Sequence, residues 1–284
     1  MLGKLIKHEW IATRRILFPV NLTIILITLV GCIFLGTNIL QSKNSLPLVV
    51  LLIILYMLSM IVLSMVSSFY LLVRFYKNLF TAEGYLMFTL PVTPVQLLNS
   101  KLLVACLWSF FNTLLILASF FALGFSSGYY ASIHGTSNEK SAFLSGFLSA
   151  MTSGTPESAS IQDIFGYSAV ELLLLCFAVL FIGAFYSLIM GYLAFTLGQL
   201  VGKYKLACSI VFYIAFYIGA QIISSIILVA VNIETLLDAS LDSMALTRSI
   251  YGSLLPTVAI LHLVLGILFY VITFFVIRKK VNLD

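Results

Sequence analysis

The chain has 284 residues, 62% of them hydrophobic and 9% charged, with a formal net charge of +5. Soluble domains are about 25% charged, and a soluble fold of this length cannot hide so much apolar surface behind a polar shell. The composition excludes a soluble enzyme, a disordered tail and a nucleic-acid reader, and places the chain in a membrane.

Residues 1–15 (MLGKLIKHEWIATRR) set Leu2, Leu5, Ile6 and Trp10 on one helical stripe, with Lys4, Lys7, Arg14 and Arg15 around it. A basic amphipathic helix of this kind lies in the membrane interface, its lysines near anionic headgroups and its tryptophan at the apolar boundary. A generic positively charged anchor is the plainer reading of the same residues. Six charge-free runs then follow in order, at 16–42, 44–73, 102–138, 172–202, 206–233 and 249–277. Each exceeds the ~20 residues that a helix needs to cross a hydrocarbon core about 30 Å thick. Trimmed of polar ends, they predict helices near 17–40, 47–73, 102–125, 166–197, 207–231 and 253–277. None alternates with a period of two, which argues against a membrane barrel. The expected fold is a single all-α transmembrane domain of six spans over residues 1–284.

The basic residues orient it. Of the 15 lysines and arginines, only Lys43, Lys140 and Arg248 fall on one side of this plan; the rest fall on the other. The positive-inside rule puts the richer side, with both termini, in the cytoplasm. The net positive charge is a topology signal and requires no nucleic-acid partner.

Several local patterns carry no chemistry. The N-terminal basic stretch and apolar run resemble a signal peptide, but the run is too long and lacks a small-residue cleavage site, so it reads as an uncleaved first span. Leu29-Val30-Gly31-Cys32 imitates a lipoprotein box, yet apolar Ile33, Phe34 and Leu35 follow it. Asn21-Leu22-Thr23 fits a glycosylation sequon inside the membrane. Cys32, Cys106, Cys176 and Cys208 are scattered over four spans without metal-ligand spacing, and read as small buried hydrophobes. Gly198 to Lys203 is one residue short of a phosphate loop, and Tyr204 stands where a magnesium-binding hydroxyl is needed. His8, His134 and His262 fall in separate regions, and no catalytic constellation is present. The expectation is a non-catalytic chain with no metal and no cofactor of its own.

Between the second and third spans lies TAEGYLMFTLPVTPVQLLNSK, residues 81–101. Ala82 to Leu90 is a short helical candidate, and Pro91 ends it because proline cannot continue the backbone ladder. Thr93 opens a new helix, with Pro94 at its first position and Gln96 three residues on, the pattern of a capping box. Val92 and Leu97 are spaced as its hydrophobic staple. A rigid helix–break–helix on the inner face suits the transmission of force from a docked partner; an ordinary interfacial connector has the same elements.

This segment resembles the coupling region of permease subunits of bacterial type-two ABC exporters. Glu83, Gly84, Leu90, Pro91, Thr93 and Lys101 match that family's pattern in order and spacing, over about twenty residues. Tyr85 replaces the expected threonine, and the acidic residue usual in the middle of the stretch is missing. The plan of six spans with both ends inside is also that family's. The resemblance implies an elbow helix over residues 1–15 and an ATPase-contacting coupling helix containing Glu83, Gly84, Tyr85, Met87, Phe88 and Pro91. It also implies a separate ABC ATPase in two copies, carrying ATP and magnesium, and a second permease of the same or a related kind. Membrane lipids surround the assembly.

The outer side is less informative. Residues 126–165 are rich in Ser and Gly, with an amphipathic patch at Phe143, Leu144, Phe147, Leu148 and Met151 suited to the outer leaflet. Residues 232–252 space Glu234, Asp238 and Asp242 four apart. That face is a solvated loop or, as the resemblance implies, short re-entrant helices before the last span. Within the spans, Glu171, Gln221 and His262 are candidates for a translocation path, because polar groups in lipid are costly; a watery helix end and interhelical bridging are the structural alternatives. Gly183, Ser187 and Gly191 form a small-residue stripe that close helix packing explains.

The expected function is therefore that of the membrane subunit of an ATP-driven exporter in a bacterial plasma membrane. The apolar and aromatic walls (14 Tyr and 23 Phe in all) suit an amphiphile such as an antimicrobial peptide, hydrophobic drug or lipid. The competing classes are an ion-gradient-driven carrier using Glu171 and His262, and a non-transporting assembly or sensor subunit. Against the carrier, the sequence shows no internal inverted repeat.

Overall fold

The computed structural model describes residues 2–35, 46–81, 92–134, 165–201, 204–237 and 243–280. Among these residues every regular element is a helix: α1 (Leu2–Leu35), α2 (Leu46–Phe80), α3 (Pro94–His134), α4 (Ala169–Gly198), α5 (Lys205–Val231), the short α6 (Ile233–Leu237) and α7 (Ser243–Lys280). Six of them are long and apolar enough to cross a membrane, which makes the chain a multi-pass membrane protein. With no water to satisfy amides in the hydrocarbon layer, continuous helices are the economical answer to this sequence.

The helices are longer than the charge-free runs suggest. α1 is one continuous helix from Leu2, so residues 2–15 are its first turns. No Gly or Pro stands between Lys4 and Phe18 to interrupt its ladder, and Pro19 lies within the helix. α3 begins at Pro94 and continues to His134, past the expected end of the third span at 125. α7 starts at Ser243, well before 253. Charges at helix ends do not stop helices; they mark where the bilayer stops. The outer patch at Phe143–Met151, and Asp238 and Asp242, lie outside the described residues, while Glu234 is exposed on α6.

The chain divides into two compact units built from separated stretches. The first comprises residues 1–10, 70–107 and 161–284. Its centre is the second half of α4, where Leu188, Ile189, Met190, Tyr192, Leu193, Ala194 and Thr196 are all buried. Close approach is built into this helix: a Cβ on Gly191 would overlap the methyl groups of Leu72 on α2. On α7, a Cβ at Gly266 would come within 2.9 Å of Phe185. Gly183, the first member of the small-residue stripe, faces open space instead, so only the Gly191 end of that stripe packs closely.

The far end of this unit is tied by a polar knot. Buried Asn232 exchanges hydrogen bonds with Ser253 (2.8 and 3.0 Å) and accepts one from Ser249 (3.1 Å), while the Tyr167 hydroxyl donates to the Gly252 carbonyl (3.1 Å). Tyr204, immediately before α5, takes the left-handed conformation (φ 60°), and Gly198 at the end of α4 gives room for Ser209.

The second unit comprises residues 11–69 and 108–160. Tyr56 meets Phe120 edge to face at 5.8 Å and donates a hydrogen bond to Ser119 (2.7 Å), and Ser126 donates to the Cys32 carbonyl (2.6 Å). Asn21 is buried on α1 with its sequon inside the helix. The four cysteines are free thiols.

Candidate functional site

The ATPase-contact candidates Glu83, Gly84, Tyr85, Met87, Phe88 and Pro91 all lie in residues 82–91, outside the described residues. What the structure describes is the frame on either side, and that frame is strongly fastened. On the exit side, Pro94 is the first residue of α3, and the Thr93 hydroxyl accepts a hydrogen bond from the Gln96 amide (3.3 Å). This is the hydroxyl half of the capping box that the sequence predicts. Leu97 and Leu98 bury immediately behind it, and Val92 is half-buried. On the entry side, the Thr81 hydroxyl donates to the Lys77 carbonyl and closes the last turn before the segment.

Behind both flanks lies a charge cluster. Glu9 on α1 receives Arg74 of α2 at 2.6 Å through one oxygen and Lys101 of α3 at 3.3 Å through the other. The side chains are 11%, 20% and 4% exposed, respectively. Arg74 also reaches the Tyr70 hydroxyl (3.4 Å). One carboxylate is therefore shared by two cations from two further helices, so three helix ends are fixed by one residue. Desolvating these charges is costly, and their mutual pairing offsets that cost.

Aromatic packing continues the clamp. Phe75, one residue after Arg74, stacks flat on Tyr192 of α4 (3.7 Å between ring centres, 7° between planes). Tyr76 meets Phe195 at 5.5 Å, and Phe80 packs edge-on against Phe75 at 5.8 Å. On α3, Asn99 accepts a hydrogen bond from Tyr270 of α7 (2.6 Å). The entry flank of the 82–91 segment is thus tied to α1 and α4, and the exit flank to α1 and α7.

Sequence reasoning placed Lys101 in a motif but passed over Glu9. A signal was available: Glu9 is the one acidic residue among the first 15, and Leu2, Leu5, Ile6, Glu9, Thr13 and Leu17 follow the helical repeat. That stripe is the inward face of α1, with Thr13 and Leu17 fully buried, whereas Trp10 on the predicted stripe is 38% exposed.

The three path candidates are not brought together by any described contact. Glu171 occupies the third position of α4 in a complete capping box. Its carboxylate accepts from the Ser168 amide (2.9 Å) and its own amide donates to the Ser168 hydroxyl (3.3 Å). A helix start accounts for it without substrate. Gln221 is exposed on α5. His262 on α7 stacks flat on Tyr186 of α4 at 4.4 Å, and its buried Nδ1 has no hydrogen-bond partner among the described residues. No group of three or more potential metal ligands occurs among the described residues.

Compared with protein-family models, with curated proteins and with solved structures, the chain matches none of them significantly.

Proposed function

We propose that the protein is the permease subunit of an ATP-driven exporter of the ABC type, in which a separate ATPase pushes on residues 82–91. The observation that carries this reading is the fastening of the two flanks of that segment. A connector without mechanical duty needs neither a buried carboxylate shared by two cations nor a stacked aromatic pair at its root. The resemblance of residues 81–101 to the coupling region of type-two exporters supports it, as does the presence of six candidate spans. ATP binding would close two ATPase copies against two permeases. Force entering at Glu83–Pro91 would pass through Arg74 and Lys101 to α1, through Phe75 to α4, and through Asn99 to α7. The site is a lever and contains contacts, not catalysts; ATP and magnesium belong to the partner. An amphiphile moved out of a bacterial plasma membrane is the substrate class best suited to the apolar walls.

The test is gentle affinity purification from native membranes. A stoichiometric ATPase that is lost when residues 82–91 are replaced, and transport abolished by Gly84→Pro with the helical fold intact, are the expected results. A chain that purifies alone under conditions that preserve known transporter complexes would overturn the reading. It would turn attention to His262, whose unpartnered nitrogen is the feature a proton-driven carrier would use.

A further inference from the structure

Within the second unit, a hollow of about 550 Å³ is bounded by residues 27–34 of α1, 52–59 of α2 and 120–124 of α3. That volume falls in the range of small-molecule sites, about 300–1,000 Å³. Of the two glycines on its wall, Gly124 leaves room, since a Cβ there would meet no atom within 4 Å, whereas Gly31 marks a close approach, its Cβ falling 2.9 Å from Leu123. At 1.5 Å per residue, residues 52–59 lie roughly 10–20 Å along α2 from its first residue, within the apolar band of a spanning helix.

The chemistry of the wall selects the occupant. Its polar side chains, Tyr56 and Ser59, are already engaged. The Tyr56 hydroxyl donates to Ser119 (2.7 Å), which donates onward to the Ile116 carbonyl (2.6 Å), and Ser59 donates to the Tyr56 carbonyl (2.7 Å). A water molecule needs several polar partners, and the polar side chains of this wall are just these two hydroxyls, both with their protons already donated. A space of this size between packed helices leaves its wall atoms without contact partners unless something fills it. Val30, Ile53 and Met57 line the hollow and are each about half exposed (52%, 45% and 45%), so its mouth faces the surroundings of the helices. At that depth the surroundings are hydrocarbon.

We propose that this hollow is a binding site for one acyl chain of a bilayer phospholipid. The occupant is hydrocarbon because the wall is apolar apart from two hydroxyls whose protons are already donated within the protein. It is a lipid because lipid chains are the hydrocarbon present at the mouth. The assignment does not depend on the transporter reading. A bound chain would complete the packing of α1, α2 and α3 and would make their relative movement sensitive to chain length.

The experiment places the full-length protein in phospholipid nanodiscs doped with a phospholipid that carries a photoactivatable diazirine on one acyl chain. Illumination is followed by peptide mass spectrometry. Adducts are expected several-fold denser on residues 27–34, 52–59 and 120–124 than on the exposed face of α5, at Ile210, Ile214 and Ile222. Gly124→Leu, whose side chain grows into open space, should reduce cavity adducts to the level of α5 and leave α5 labelling unchanged. If that variant fails to give a monodisperse protein, Met57→Phe at the mouth carries the same expectation. Equal labelling of cavity and α5, or cavity labelling unaffected by a folded variant, would overturn the proposal. Labelling by a diazirine-bearing single-chain alkyl amphiphile but not by the phospholipid would also overturn it, and would give the site to an amphiphile.

Discussion

α4 and α5 are neighbours in sequence, both belong to the first unit, and both are almost entirely apolar. Their fates differ completely. The second half of α4 is buried nearly all round, whereas Ser209 is the sole buried residue among those described on α5. Ile210, Val211, Ile214, Tyr217, Ile218, Ile222 and Ile226 are all at least half exposed. In water such a helix would have to hide; in lipid an exposed isoleucine loses nothing, because the solvent is as apolar as the residue. What places α4 in the centre is shape. Gly191 admits Leu72, and the flat face of Tyr192 receives Phe75. In a membrane, hydrophobicity selects which segments span, and small and aromatic residues select which of them become core.

The contrast can be tested by substitution, with unfolding followed by far-ultraviolet circular dichroism in mixed micelles. The largest loss is expected from Glu9→Ala, which strands Arg74 and the 4%-exposed Lys101 without their carboxylate. Breaking a buried pair from one side costs about 3–5 kcal/mol. The double variant Glu9→Ala with Lys101→Met should recover part of that loss, and if it does not, the cluster is not the clamp described above. Next comes Tyr192→Ala on α4, which removes the fully buried ring stacked on Phe75 and should cost about 3–4 kcal/mol. A value near zero would mean that α4 is not the core.

Gly191→Leu drives a side chain into Leu72 and should cost about 1–3 kcal/mol by overpacking. The same change at Gly183, which faces open space, should be nearly silent, so the pair separates close packing from mere membership of the small-residue stripe. Smaller still is Ser168→Ala, which removes the hydroxyl half of the α4 cap and should cost about 1 kcal/mol. If the chain is the exporter proposed above, transport should persist in Glu171→Gln, whose amide oxygen can still accept from the Ser168 amide; abolished transport with intact stability would return Glu171 to the path. At the bottom of the scale, Ile214→Ala and Ile222→Ala on α5 should change monomer stability by less than about 0.5 kcal/mol. If the protein crosslinks as a dimer and the same variants lower that fraction, the bare face of α5 is where a second copy of the chain docks.

The membrane class was fully legible, because charge scarcity over runs longer than a bilayer is a property of composition and order alone. The restart of the chain at Thr93 and Pro94 was legible too, since capping chemistry is local and needs only the backbone that follows. Helix ends were less so: α1, α3 and α7 all run beyond the apolar stretch that announces them, because a helix continues in water wherever no residue breaks it. The capping role of Glu171 could have been read from Ser168 three residues earlier, but an ionisable residue near a span draws attention to the membrane and away from its own helix end.

The sequence by itself determined that this protein has six candidate spans, where α3 begins, and that no metal or phosphate motif is written into it. It could not determine that Glu9 answers both Arg74 and Lys101, since those three residues lie on three helices and their spacing along the chain is 65 residues in one case and 92 in the other. Nor could it determine that α4 is inside and α5 outside, or that α1, α2 and α3 leave a hollow beside Tyr56. Period and propensity act over a few turns, but pairing of charges, stacking of rings and the shape of a void depend on which helices meet. In a bilayer that choice is made by packing between surfaces of equal greasiness, and packing exists only in three dimensions.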